Sequence, residues 1–240
     1  MPIYKNPRIP TIANLLSLML PFLYFCSMQS NQEKLVAHYV ELLGLNSRSV
    51  SSEIYDKLIS IQAELISIED VITYISKIGQ VLNTEDSDVA DKTAELIEKI
   101  EDETNILIHK LKFISSTDRP KVLALDQVHP LKINDSPFLQ ESIKIAGGIP
   151  VLDGGEADKI ILIDSSADAF TTVPRLLDHP AIASSKAIEL DQIFIMTKPQ
   201  FSHIPGYDYL TELESLAEIF QPKYFVYGHE GNDWLQFQLK

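Results

Sequence analysis

The fold is decided by residues 119–152, which read RPKVLALDQVHPLKINDSPFLQESIKIAGGIPVL. An apolar run at residues 121–125 has the length of a buried strand, and a polar loop containing Pro follows it. Ser136 and Pro137 are typical of a helix start, and Gly147 suits the end of that helix. Three similar apolar runs follow, at residues 160–163, 192–196 and 223–227. This alternation of strands and helices predicts a parallel sheet that is covered on both faces.

The first half of the chain is dominated by helix signals. Ser67 followed by Asp70 predicts a capped helix start, and a further helix before it is expected to end at Gly44. Residues 84–113 contain no Pro or Gly and carry apolar residues at helical spacing, so they predict one long helix. At about 1.5 Å per residue this helix would span about 45 Å, enough to run across two lobes. A coiled-coil arm or an ordinary surface helix is the alternative interpretation.

Composition excludes several classes of function. The 240 residues carry a formal charge of -14, which repels nucleic acid backbones, so no nucleic acid partner is expected. The only cysteine, Cys26, excludes an internal disulfide and a thiolate-rich metal site. The sequence also lacks the Gly-x-Ser-x-Gly, phosphate-loop and His-Glu-x-x-His motifs, so neither an enzyme nor a cofactor is predicted.

Residues 119–152 resemble the start of the C-terminal lobe in the helical-backbone (type III, cluster A) solute-binding proteins of ABC importers. The stretch LLDHPAIASSKAIELDQIFIM, residues 176–196, is similar to the family's short helix, Pro and turn before the next strand. The helix predicted at residues 207–220 looks like the family's closing helix. The resemblance extends over about residues 10–225 and implies binding of an iron-siderophore, haem or cobalamin (vitamin B12).

The resemblance implies an α/β fold with two lobes whose parallel sheets are covered by helices and joined by one long backbone helix. We predict a partial N-terminal lobe at 1–83, the backbone helix at 84–117 and a C-terminal lobe at 118–240. The family's opening strand-helix-strand section has no counterpart here, so the N-terminal lobe is expected to be truncated. In the family an acidic residue docks on the permease, but this sequence has Ala13 at the corresponding position. The family's Pro-Asp turn is likewise replaced by Leu20 and Pro21.

Residues 9–32 carry no charge and follow the basic residues Lys5 and Arg8. They could form a secretory signal, but Pro10, Asn14 and Pro21 interrupt the apolar run and favour a short amphipathic helix followed by a strand at 22–25. No convincing signal peptide is therefore predicted. A periplasmic or cell-envelope location is expected from the family resemblance alone.

Ligands of open α/β sheets usually bind beyond the carboxyl ends of the strands, so we expect a site among the loops at 126–136, 164–168 and 197–206. The ligand-binding candidates are Tyr4, Lys5, Gln29, Asp126, His129, Lys132, Lys198, Phe201, His203 and Tyr207. Lysines could neutralise ligand carboxylates, and aromatic rings could stack on a macrocycle. Each candidate could equally be an ordinary loop residue.

Other interpretations remain open. A metal-ion receptor of the same fold could use His129 and His203, and His229 with Glu230 could also be a metal site or a solvated turn. A relict or structural protein could self-associate through an exposed sheet edge. As a transport protein, the chain would have a small-molecule ligand, a metal chelate or tetrapyrrole, and an ABC permease as partners.

Overall fold

The computed structural model describes residues 31–61, 64–84, 87–163, 168–198, 201 and 203–239. These residues form one six-stranded sheet with the order β2-β1-β4-β5-β6, in which β3 also pairs with β1. The pairs β1–β3, β1–β4 and β4–β5 are parallel, whereas β2 and β6 are antiparallel to their neighbours. The strands are β1 (Lys121–Gln127), β2 (Lys132–Ile133), β3 (Ile149–Val151), β4 (Lys159–Leu162), β5 (Ile193–Met196) and β6 (Trp234–Phe237).

Helices account for most of the remaining described residues. The first, α1, is helical over residues 31–42. The others are α2 (Ser52–Ser60), α3 (Ile68–Leu82), α4 (Val89–Leu111), α5 (Pro137–Ile145), α6 (Ala169–Thr172), α7 (Pro180–Ala183), α8 (Lys186–Glu189) and α9 (Tyr209–Phe220). The predicted capping box of α3 is present, because the Ser67 and Asp70 side chains each accept a hydrogen bond from the other residue's backbone N–H. No described helix is long and apolar enough to span a bilayer.

The central strands bury both of their faces, as the continuous apolar runs predict. Along β1, Val122 and Ala124 belong to one apolar core, while Leu123 and Leu125 belong to a second core on the opposite face. The first core continues through α5, α9 and α4 into α1–α3, and the second is closed by the short helices α6–α8. Helices therefore cover the sheet on both faces.

Helix α4 runs from the N-terminal helices to the α/β body. At its start, Thr93 lies against Gly79 of α3, where the Cβ of any other residue would overlap the Thr93 side chain. At its end, Leu111 fills the space beside Gly147, whose φ of +90° also favours glycine. The helix is unbroken over 23 residues, about 34 Å, and Thr104 is 2% exposed within its buried stripe. It begins at Val89, five residues after the start that the sequence predicts.

Two strand predictions have different outcomes. Residues 223–227 form a turn and coil, so the strand predicted there is wrong. The carboxylate of Glu218 in α9 accepts hydrogen bonds from the backbone N–H groups of residues 227, 228 and 229, which satisfies them without a neighbouring strand. The last strand is instead β6, antiparallel to β5. The strand predicted at 22–25 lies outside the described residues.

Candidate functional site

The carboxyl ends of β1, β4 and β5 lie at one edge of the sheet, because these strands are parallel neighbours. The antiparallel strand β6 begins at this edge, where Trp234 pairs with Met196. The loops after β1 and β5 and the turn before β6 therefore meet there. We call this set of loops the carboxyl-edge site, and it contains the predicted loop at 126–136 and, of the predicted loop at 197–206, the described residues 197, 198, 201 and 203–206. Of the third predicted loop, after β4, residues 164–167 lie outside the described residues.

One polar cluster of the site follows β1. Lys132 donates to Asp126 across 2.7 Å, and Asn134 donates its side-chain amide to the same carboxylate across 2.6 Å. The hydrogen bond and charge of Asp126 raise the pKa of Lys132 above its ordinary value. Asp126 and Lys132 are thus brought together as an ion pair at the end of the strand, and His129 is exposed in the turn between β1 and β2.

A second cluster surrounds Lys198. Its ammonium group lies 3.2 Å from a carboxylate oxygen of Asp208 and 3.2 Å from one of Asp233. Burial lowers the pKa of Lys198, but the two carboxylates outweigh burial and leave the pKa above its ordinary value. His229 extends the network, because its ring nitrogens lie 2.6 Å from Asp233 and 2.8 Å from Glu214. The C-terminal turn thus belongs to the carboxyl-edge site and is not an isolated tail.

Helix α1 forms a wall of the site. His38 stacks on Tyr207 with ring centroids 4.2 Å apart, and the Tyr39 hydroxyl donates to the carbonyl of Gly206. Burial lowers the pKa of His38, although the charges of Asp208 and Glu41 oppose it. Its Nε2 is buried with no hydrogen-bond partner among the described residues. The loop at 203–208 is therefore held against α1.

A cavity of about 200 Å³ lies between α1 and this loop. Its lining is mostly apolar with a few polar groups, and consists of Asn31, Gln32, Leu35, Leu65, His203, Ile204 and Pro205. His203 is exposed, with Nε2 2.8 Å from the carbonyl oxygen of Ile163 at the end of β4. An apolar concavity with a few directional groups is the usual form of a small-molecule site.

The sequence candidates thus divide into three groups. Asp126, Lys132, Lys198, His203 and Tyr207 take part in contacts of the site, and His129 is exposed beside it. Phe201 is 2% exposed and belongs to the main core, which favours an anchoring role for its ring. Tyr4, Lys5 and Gln29 lie outside the described residues. The residues of the site that sequence reasoning missed are His38, Asn134, Asp208 and Asp233.

The described residues contain no arrangement typical of hydrolytic or metal chemistry. The histidine side-chain hydrogen bonds run to a backbone carbonyl or to carboxylates, and none reaches a Ser, Thr or Cys in this part of the chain. No group of three His, Cys, Asp or Glu side chains is placed to hold a metal ion among the same residues. The site can bind, orient and desolvate a ligand.

Comparison with known proteins gives the fold. No family model and no curated protein matches the sequence. Solved structures similar in fold include S. aureus IsdE complexed with haem, with a TM-score of 0.52 and 14% identity over 70% of this chain and 71% of that chain. They also include the TroA-like periplasmic binding protein FepB from Veillonella parvula, with a TM-score of 0.50 and 16% identity over 74% of this chain and 60% of that chain. An ABC-type Fe3+-hydroxamate transport system from Saccharomonospora viridis has a TM-score of 0.50 and 14% identity over 67% of this chain and 58% of that chain. The chain thus spans 58% to 71% of these relatives' lengths.

The order of elements, the parallel sheet covered on both faces and the long helix α4 agree with this likeness. The chain has the α/β fold of the type III, helical-backbone periplasmic solute-binding proteins.

Proposed function

We propose that this protein is the solute-binding component of an ABC importer and binds a ferric chelate at the carboxyl-edge site. Its partner would be an ABC permease, and its location the periplasm or cell envelope. Structural relatives whose names refer to haem and to Fe3+-hydroxamate transport support this ligand class. A cobalamin-like ligand rests on the sequence resemblance alone. Binding would involve no covalent chemistry.

The observation that carries the proposal is the charge balance of the site. Both of its lysines are already paired, Lys132 with Asp126 and Lys198 with Asp208 and Asp233. The described residues of the site therefore offer no unpaired lysine to a polyanion. Adding a polyanion would compete with existing ion pairs and would bring like charges together.

Charge balance then favours one class of chelate. Three monoanionic hydroxamates neutralise Fe3+, whereas three dianionic catecholates leave three negative charges, and haem carries two propionates. An uncharged or cationic ferric hydroxamate adds no negative charge beside Asp126, Asp208 and Asp233. We therefore propose a ferric hydroxamate as the preferred ligand, ahead of haem and catecholates.

The lining of the cavity supports a chelate more than a free metal ion. Leu35, Leu65 and Ile204 can cover an organic shell, and Asn31 can direct it through amide hydrogen bonds. The side-chain nitrogen of Gln32 already donates to the Ile61 carbonyl and the Tyr74 hydroxyl, so Gln32 offers its side-chain carbonyl as an acceptor. A bare ion would need several His, Asp or Glu ligands at bonding distance, and the described residues provide no such group. The metal-ion receptor alternative that uses His129 and His203 is therefore less well supported.

Titration monitored by fluorescence tests the proposal. Trp234 is the only tryptophan and directly follows Asp233 of the Lys198 cluster, so a bound ferric chelate should quench its emission. We expect saturable quenching by a ferric hydroxamate and weaker binding of haem or a ferric catecholate. Absence of saturable quenching by every chelate, together with retention of free Fe3+ or Zn2+ in equilibrium dialysis, would contradict it.

Substitution of Asp208 tests the role of charge. Asp208→Asn removes one of the two carboxylates that pair with Lys198. Binding of a catecholate or haem should therefore improve several-fold relative to binding of the hydroxamate. Asp178→Asn is the matched control, because Asp178 pairs with Arg175 on the exposed surface away from the site. An unchanged preference in Asp208→Asn would refute selection by charge while leaving chelate binding itself intact.

A further inference from the structure

A second cavity, of about 560 Å³, lies at the opposite, amino edge of the sheet. It is formed where β1 and β4 begin and where the chain leaves α9. Four cationic side chains line it, Arg119, Lys159, Lys186 and Lys223, against two carboxylates, Asp118 and Asp158. The lining therefore has an excess of two positive charges on a protein with a formal charge of -14. We call it the amino-edge cavity.

Lys159 lies at the start of β4 and is largely withdrawn from water. Its ammonium group donates to the side-chain carbonyl of Gln192 across 2.7 Å and lies 4.9 Å from the centre of the Phe194 ring. No carboxylate of the described residues comes within ion-pair distance of it. An ammonium group has three donors, so one neutral acceptor leaves it undersatisfied.

Arg119 is the second cation with unused donors. One terminal nitrogen donates to the carbonyl of Leu111 across a long 3.5 Å, and its Nε is buried with no hydrogen-bond partner among the described residues. No ion pair involves Arg119 within the same part of the chain. A guanidinium group presents its donors as a planar fork that fits the oxygens of phosphate or carboxylate.

One of the two carboxylates of the cavity, that of Asp158, is already engaged elsewhere. One oxygen of Asp158 accepts from Lys186 across 2.9 Å, and the other accepts from the backbone N–H of Lys121 across 2.9 Å. Asp158 therefore holds Lys186 and the start of β1, and does not complete the hydrogen bonding of Lys159 or Arg119. A ligand with several acceptor oxygens would satisfy both.

We propose that the amino-edge cavity is a binding site for a dianionic oxyanion of the phosphate class, held by Arg119 and Lys159. Two negative charges match the excess charge of the lining, and a tetrahedral anion offers enough oxygens for both donors. Tyr224, 56% exposed at the cavity, is available to contact an organic group attached to the phosphate. The site is separate from the carboxyl-edge site, since it lies at the other ends of the same strands.

Calorimetric titration with inorganic phosphate and with sulfate, at an ionic strength fixed with sodium chloride, tests the proposal. We expect saturable one-to-one binding of both anions. Arg119→Gln and Lys159→Met should each weaken it about tenfold or more, because each removes a charged hydrogen bond. Lys159→Arg should retain binding, and Lys57→Gln, which removes an exposed cation on α2, should leave it unchanged.

Three outcomes would overturn the proposal: no saturable binding to the wild type, binding by Arg119→Gln and Lys159→Met that is as tight as that of the wild type, or a weakening in Lys57→Gln as large as in those two variants. Urea unfolding of each variant separates a folding defect from a binding defect. Sedimentation with phosphatidic acid vesicles distinguishes the source of the phosphate. If vesicles bring down the wild type but not Lys159→Met, the same site takes a lipid headgroup; if they bring down neither, it takes a free ligand.

Discussion

Replacement of Lys159 by Met tests the electrostatics of the amino edge through stability alone. The side chain lies at the start of β4 against the Phe194 ring and donates to Gln192. Burial lowers the pKa of Lys159 to about 8, an effect that the charge of Lys186 reinforces and that of Asp158 opposes. Met has a similar length and needs no hydrogen bond. The substitution therefore removes a desolvated charge while retaining most of the packing.

The magnitude follows from the pKa. A fall from an ordinary 10.5 to about 8 corresponds to at most about 3 kcal/mol of lost stability while the lysine is charged. The lost hydrogen bond to Gln192 offsets about 1 kcal/mol of the gain, and the lost contact with the Phe194 ring about 0.5 kcal/mol. We expect Lys159→Met to be more stable than the wild type by at most about 1.5 kcal/mol at pH 7.

The sign of the pH dependence is fixed by the same shift. Because the folded pKa lies below the unfolded one, the unfolded chain holds more protons between about pH 8 and pH 10.5. The cost of the charge is present in full below pH 8 and disappears as the pH rises through this window. The advantage of Lys159→Met should therefore shrink to zero, or reverse, by about pH 10.5.

Urea unfolding at pH 7, 9 and 10.5, at constant ionic strength and without phosphate or sulfate, measures this difference. Lys121→Met is the matched control, because Lys121 starts the neighbouring strand but is exposed and pairs with Glu156 across 2.9 Å. Its ion pair raises the pKa of Lys121, so the control should show no such trend between pH 8 and 10. Destabilisation of Lys159→Met at pH 7, or a gap that is constant with pH, would refute the reasoning.

Three further substitutions test the packing of the fold. Gly79→Ala should cost about 1–3 kcal/mol in urea unfolding, because its Cβ would overlap the Thr93 side chain. Adding Thr93→Ala to the same chain should recover part of this loss. If Gly79→Ala alone costs no stability, the close approach of α3 and α4 is contradicted. Tyr39→Phe should cost about 1 kcal/mol and speed amide exchange around Gly206, whereas unchanged exchange would argue against this anchor. Glu218→Gln should cost about 2 kcal/mol, because it weakens four hydrogen bonds to one buried carboxylate. The emission of Trp234 should shift to the red in this variant, and an unshifted spectrum would contradict the role of Glu218.

Much of the fold could be predicted from local signals. The apolar runs that became β1, β4 and β5 are buried strands, and the Ser67 capping box and the Ser136–Pro137 start appear where predicted. These features depend on neighbours in the sequence, so the sequence alone reveals them. The structural relatives then confirm the fold predicted from the resemblance.

The misses depend on contacts between distant parts of the chain. Residues 223–227 look like a strand by composition, but the backbone N–H groups of residues 224 and 225 donate to the carbonyl of Gln221, and that of residue 227 donates to Glu218 on the preceding helix. Because β6 pairs antiparallel with β5, its start places Asp233 at the carboxyl edge of the sheet, and no local sequence signal predicts this antiparallel pairing. His38 joins the site only through the stacking of α1 on Tyr207. The separation of Lys132 and Lys198 into two neutralised clusters could not be predicted either, since tertiary packing determines the partner of each lysine.

Amide hydrogen exchange in the presence of a saturating ferric hydroxamate tests the central claim most directly, because it locates the ligand on the chain. We predict slower exchange in residues 126–134 and 203–208 and unchanged exchange in α7 and α8, which cover the far face of the sheet. Slower exchange confined to α7 and α8, or no change anywhere in the chain, would contradict ligand binding at the carboxyl-edge site.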